Sequence, residues 1–164
     1  MAHNINFNER TGKYSFFTVQ QKAWHSLGQI VEQYPTSAEA IKHAGLDYEV
    51  VKSPLFTKGS GIIETVQGIE IGSHELEVPN YFANIRTDNN TVLGVVGKDY
   101  HIVQNREAFN FFDAILGGSD GILYETAGAL GNGERIFITA KLPDYIRVGN
   151  GDDVTEKYIF LTTS

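Results

Sequence analysis

The sequence predicts an α+β fold: a mainly antiparallel sheet built from hairpins, with two helices packed on it. Three observations carry this. Two segments, near 36–45 and 105–118, have helical apolar spacing with capping residues at their ends. Two others, 81–97 and 122–142, fold back over polar or Gly-rich turns as hairpins do. Between them, 58–80 gathers Ile and Val around Gly59, Gly61, Gly68 and Gly72, which suits strands and not helices.

Taken in order, residues 1–20 read as a poorly ordered or short N-terminal arm, polar and with little to bury. Within it "KYSFFTV" (13–19) suits a short strand. Residues 21–164 read as a single α+β domain, expected to be the N-terminal part of a longer protein because "EKYIFLTTS" ends in mid-strand. In "KAWHSLGQIV" the lone Trp24 beside His25 is expected to plug an irregular segment onto the sheet, its N–H bonded to backbone. Thr36 with Glu39 three residues on forms a capping box after Pro35, and Gly45 stands where a C-terminal cap belongs. Ala40, Ile41 and Ala44 are the inward face of that helix, and "YEVVK" follows as a strand.

Strands near 81–87 and 91–97 are joined by "TDNNT". Asn105 is expected to cap a second helix, with Ala108, Phe111, Phe112 and Ile115 inward and Gly117 and Gly118 ending it. The next hairpin turns at Gly131-Asn132-Gly133. In the last strand Tyr158, Phe160 and Thr162 share one face and Ile159 and Leu161 the other.

Composition bounds the function. The chain of 164 residues is 41% apolar, enough for one core of ordinary size. Twenty acidic against thirteen basic residues give a net charge of -7, which argues against a surface that binds polyanions throughout but leaves room for a local basic groove. There is no cysteine, so a metal would need His and carboxylates alone. The five histidines lack the i, i+4 spacing of a helical pair, and in "SHELE" His74 and Glu75 point to opposite faces of a strand. No metal and no cofactor is expected. "LGGSDG" follows a helix and "GALGNGER" precedes a strand, so neither offers the helix N-terminus a phosphate loop needs. No Ser lies in a G-x-S-x-G context and no carboxylate pair stands out, so no catalytic residue is nominated. No apolar run nears a membrane span and the N-terminus has no signal pattern, which sets a cytoplasmic expectation with no membrane partner.

The constellation that remains lies between residues 81 and 106. Arg86, Lys98 and Arg106 stand against Asp88 and Asp99, interleaved with Tyr81, Phe82, Tyr100 and His101. Rings that stack bases beside cations that hold phosphates are what a single-strand groove requires. On that reading Arg86, Lys98, Tyr100, His101 and Arg106 contact nucleic acid, while Trp24, His25 and Asn105 are structural. The plainer reading pairs Arg86 with Asp88 and returns the rings to the core.

"AWHSLG", "VPNYFANIRTDNNTVLGVVGKDYHIVQNREAFNFFDAIL" and "ETAGALGNGERIFITAKLP", in that order, resemble a phage/plasmid-like protein family, a domain-of-unknown-function family of mobile elements. The resemblance covers most of residues 20 to 164. It implies a mobile-element origin and a longer natural chain with a further β-rich half, and it brings no established activity and no catalytic residues. The family usually has Gly where Ser26 stands, which implies a looser turn after the Trp-His pair. Two functions from different classes follow: single-strand binding in DNA metabolism, or a protein-interaction and self-assembly module that pairs with itself or with its own C-terminal half.

Overall fold

In the computed structural model, residues 4–65, 67–116, 123–147 and 154–163 are described. The glycines expected to end the second helix, 117 and 118, and the loop at 149–153 lie outside them. The chain groups into two compact units, Met1–Glu49 with Val103–Ser164, and Val50–Ile102. The long β segment is a compact unit of its own, and the N-terminal residues group with the larger unit.

In the larger unit the strands are β1 (Phe7–Asn8), β2 (Lys13–Tyr14), β3 (Phe16–Val19), β4 (Gln29–Val31), β8 (Leu123–Leu130), β9 (Arg135–Arg147) and β10 (Val154–Thr163). The smaller unit supplies β5 (Val50–Thr65), β6 (Gly68–Arg86) and β7 (Val92–Gly97). Five strands of the larger unit form one sheet in the order β10-β9-β8-β3-β4. All its pairings are antiparallel except β3 with β4. The antiparallel α+β expectation therefore holds, with one short parallel strand added.

The arm expected over 1–20 is, from residue 4, tied to this sheet. Asn8 Oδ1 accepts the N–H of Arg10 at 3.0 Å, closing the β1–β2 turn. Asn6 donates its backbone N–H to Ala129 at 2.9 Å and its side-chain amide to Gly131 at 3.0 Å. Phe17 of β3, the strand between β8 and β4, is fully buried.

Two helices, α1 (Ser37–His43) and α2 (Asn105–Leu116), belong to the same unit. Helix α1 begins as its capping box predicts: the Thr36 N–H donates to Glu39 Oε2 at 2.9 Å. It ends in a Schellman motif, with Leu46 N–H donating to Ile41 O and Gly45 N–H to Lys42 O. Gly45 has φ +65°, the left-handed conformation that motif requires.

The inward stripe of α2 is Asn105, Ala108, Phe109 and Phe112, at i, i+3, i+4 and i+7. Phe111, expected inward, is 55% exposed, while Phe109 is 1% exposed. The stripe is shifted because Asn105 is itself a buried member of it. Its amide donates to Leu46 O at 3.0 Å, binding the start of α2 to the end of α1. Asn105 is therefore the first helical residue and not the cap. The residue before it, Gln104, gives its N–H to Glu107 Oε2 at 2.7 Å, the capping-box bond of an N3 glutamate.

One face of the sheet carries the core. Phe17, Val19, Tyr124, Ala127, Ala129, Ile136, Ile138 and Ala140 are all buried there. The rings of Phe109 and Phe112 lie 5.5 and 6.1 Å from that of Tyr124. Each large apolar side chain so enclosed contributes about 1.5–3 kcal/mol. The Tyr124 hydroxyl, 2.6 Å from Asp113 Oδ1, satisfies the polar end of this buried ring. Burial, with that carboxylate beside it, raises the phenol pKa well above its ordinary 10.0.

In the smaller unit β5, β6 and β7 form an antiparallel sheet with β6 in the middle. Among the described residues strand β7 pairs only with Tyr81–Ile85 of β6. Beyond that, from Phe56↔Glu77 to Thr65↔Gly68, β5 and β6 continue as a two-stranded ribbon.

Candidate functional site

Of the residues nominated by sequence, Arg86, Lys98, Tyr100 and His101 lie in the smaller unit and Arg106 in the larger one. Arg86 has no exposed surface. Its Nε and Nη2 donate to the two carboxylate oxygens of Asp88 at 3.0 and 2.8 Å. This is the pairing that two-residue spacing on one strand face permits, and it corrects the assignment of Arg86 as a phosphate contact. A guanidinium held in a buried bidentate pair is not presented to a surface ligand. Lys98, Tyr100 and His101 are exposed just beyond β7, where the Tyr100 N–H turns back to Gly97 O at 3.1 Å. Arg106 Nη2 is 3.3 Å from Asp47 Oδ1 at the mouth of a cleft of about 340 Å³ between α1 and α2.

Trp24 is also corrected. It does not plug the segment onto the sheet but stands 79% exposed. Its neighbour His25 turns inward instead. The imidazole meets the Phe16 ring edge-on at 4.9 Å, and its Nδ1 accepts the Leu27 N–H at 3.1 Å. Ser26 has φ +61°, and this left-handed residue separates the two directions.

These rings open onto the sheet face that the helices do not cover. Strand register places Phe16 and Thr18 of β3 on this face. It adds Thr126, Gly128 and Leu130 of β8 and Arg135, Phe137, Thr139 and Lys141 of β9. Tyr158, Phe160 and Thr162 of β10 complete it. A continuous ring ladder crosses it. Trp24 lies 5.6 Å from His25 and Phe16 lies 6.1 Å from Phe137. Phe137 stacks on Phe160 at 6.5 Å.

The step from β3 to β9 passes over β8 at Gly128, the partner of both Phe16 and Phe137. A Cβ there would stand 2.7 Å from Ser15 O and 3.0 Å from Phe137 Cζ. Glycine is what lets the two rings meet across the intervening strand. Phe160 is 65% exposed and Tyr158 47%, so with Trp24 the ladder is open at both ends.

The β10 end is polar. Lys141 Nζ contacts Glu156 Oε1, and the Tyr158 hydroxyl donates to Glu156 Oε2 at 2.7 Å. The hydrogen bond from Lys141, then that from Tyr158, lowers the Glu156 pKa. The bond to Glu156 is the main cause that raises Tyr158, with burial next and the Glu125 charge adding to it. Lys141 and Glu156 offset one another, and Arg135 is an exposed cation on the same face.

Sequence reasoning placed Tyr158 and Phe160 on one face but did not assemble this surface. The signal was present in β9, where Phe137, Thr139 and Lys141 alternate with Ile136, Ile138 and Ala140. It takes the strand order to bring β3 and β10 onto the same face.

Among the described residues no three His, Asp or Glu side chains gather as a metal site, and no helix is long and apolar enough to cross a membrane. Residues 92–164 match the family model described as "Domain of unknown function (DUF932)". No curated protein and no solved structure matches the chain.

Proposed function

We propose that this chain is a non-catalytic binding protein of a phage- or plasmid-type mobile element, acting in the cytoplasm on single-stranded nucleic acid. The observation that carries the reading is the ring ladder on the uncovered sheet face, with Trp24, Tyr158 and Phe160 open to solvent. Bases have two apolar faces and stack on exposed rings whatever their sequence. Arg135 flanks the ladder as a phosphate contact, and Lys98, Tyr100 and His101 form a second exposed basic and aromatic stretch in the smaller unit. With Lys141 held by Glu156 and Arg86 by Asp88, these two cations are engaged within the protein, and stacking supplies most of the affinity.

The test is fluorescence anisotropy of labelled single- and double-stranded oligonucleotides at low and moderate salt. Single strands are expected to bind in preference to duplex, with a shallow salt dependence. Phe160→Ala and Trp24→Ala should each weaken binding by roughly 5- to 100-fold, the range of one lost stacking contact. Binding unaffected by both substitutions removes the ladder from the reading.

A second reading, a protein-interaction or self-assembly module, is favoured by the open outer edge of β10, which pairs only with β9 among the described residues. Absence of oligonucleotide binding together with concentration-dependent association would select it.

A further inference from the structure

The helices cover the sheet face opposite the ring ladder, and the cleft between them is a separate place on the larger unit. Its volume of about 340 Å³ suits a small molecule. Two helix faces wall it, each with lining residues at i, i+3 and i+4: Ala38, Ile41 and Lys42 from α1, and Arg106, Phe109 and Asn110 from α2. The i+3 residues, Ile41 and Phe109, are buried and give an apolar floor. The bond from the Asn105 amide to Leu46 O holds the start of α2 to the end of α1, so the walls are fixed in advance.

Charge in the cleft departs from that of the chain, which is -7 overall. The carboxylates of both helices are committed elsewhere. Glu39 and Glu107 accept the N–H groups of Thr36 and Gln104 at 2.9 and 2.7 Å, and Asp113 accepts the Tyr124 hydroxyl at 2.6 Å. The donors of the cleft are not committed in this way. Lys42 Nζ, the Asn110 amide and the hydroxyl of Ser37, which also lines the cleft, have no hydrogen-bond partner among the described residues. Arg106 has only its exposed contact of 3.3 Å with Asp47, a weak pair that another anion can replace.

We propose that this cleft binds a small phosphate monoester, its head held by Lys42 and Arg106 and its apolar body laid on Ile41 and Phe109. Two cations from opposite walls match the near-double charge of a phosphate monoester, and its three terminal oxygens can also accept from Asn110 and Ser37. A carboxylate offers one charge and two oxygens, too few for these donors. The proposal goes beyond nucleic-acid binding and does not depend on it.

Isothermal titration calorimetry of the full chain at low salt tests it, with phenyl phosphate, inorganic phosphate and benzoate as probes. Phenyl phosphate should bind more tightly than either of the others, which lack the apolar body or the second charge. Lys42→Gln and Arg106→Gln, both at exposed positions, should each weaken it by roughly three- to tenfold. Ala38→Phe, on the exposed side of α1, should fill the cleft and abolish binding. Asp47→Asn should tighten binding by roughly threefold, because it frees Arg106, and a gain of this kind does not arise from misfolding. Failure of phenyl phosphate to bind overturns the proposal, as does binding indifferent to Lys42 and Arg106 or weakened by Asp47→Asn. Equal binding of benzoate refutes the phosphate head, and equal binding of inorganic phosphate refutes the apolar floor.

Discussion

Removing the carboxylate of Asp88 isolates the energetics of the β6–β7 turn. Arg86 is wholly buried and Asp88 is 14% exposed, and the two share bonds of 3.0 and 2.8 Å. Breaking a buried pair by deleting one partner costs about 3–5 kcal/mol. Two charge-assisted hydrogen bonds at about 1.5–3 kcal/mol each give an overlapping range of about 3–6 kcal/mol. The exposed pair of Arg106 and Asp47, 72% and 44% exposed at 3.3 Å, is a natural control worth at most about 1 kcal/mol. Hydrogen exchange read by mass spectrometry reports on each segment separately. Asp88→Ala should speed exchange of the β6 and β7 amides near Asn84–Arg86 and Val92–Val95 by roughly a hundredfold or more, and Asp47→Ala should leave them unchanged. If Asp88→Ala costs no more than Asp47→Ala, the pair is not the determinant of this turn and the argument from burial fails.

Three further outcomes are expected. Because the folded state holds the Tyr124 phenol above its ordinary pKa, the unfolded chain loses that proton first as pH rises, so this stabilisation is complete below pH 10.0 and declines above it. The slope should be about 1.4 kcal/mol per pH unit in urea titrations, and Tyr124→Phe should remove it. Ser26→Gly should raise stability by about 1 kcal/mol, since glycine carries no penalty at φ +61°; an unchanged denaturation midpoint would show that the turn is not strained. Gly128→Ala should cost about 1–3 kcal/mol, because its Cβ would meet backbone at 2.7 Å, whereas Gly94→Ala, with nothing within 4 Å, should not destabilise; equal effects would contradict the close approach of Phe16 and Phe137.

Local chemistry was readable from sequence wherever one short segment held the whole motif. Thr36, Glu39 and Gly45 delimit α1 through bonds made within ten residues. The β6–β7 and β8–β9 hairpins turn where "TDNNT" and Gly131-Asn132-Gly133 stand. What sequence did not disclose depends on distant partners. Strand β4 has three residues and exists through β3, and β1 exists through β2 and the bonds of Asn6 to β8. Asn105 looks like a cap by composition, but Leu46 O claims its amide, and that moves the inward phase of α2 from Phe111 to Phe109. The candidate site divides in the same way. Lys98, Tyr100 and His101 lie on a surface as their polarity suggests. Arg86 is buried because Asp88 satisfies it, and Trp24 is exposed because His25 takes the place against Phe16.

The order β10-β9-β8-β3-β4 bears on how the protein can be divided. The family match begins at β7 and runs through β10, so it holds three of the five strands of the larger sheet and one of the three in the smaller. A fragment cut at those limits would lose Phe17, which lies against Ala127, and would leave β8 as a raw edge with its buried alanines open to water. It would also carry β7 without β6, its only partner strand among the described residues. The matched segment is therefore narrower than the two sheets its strands belong to, and an expression fragment should keep β3 and β6 if it is to remain in solution.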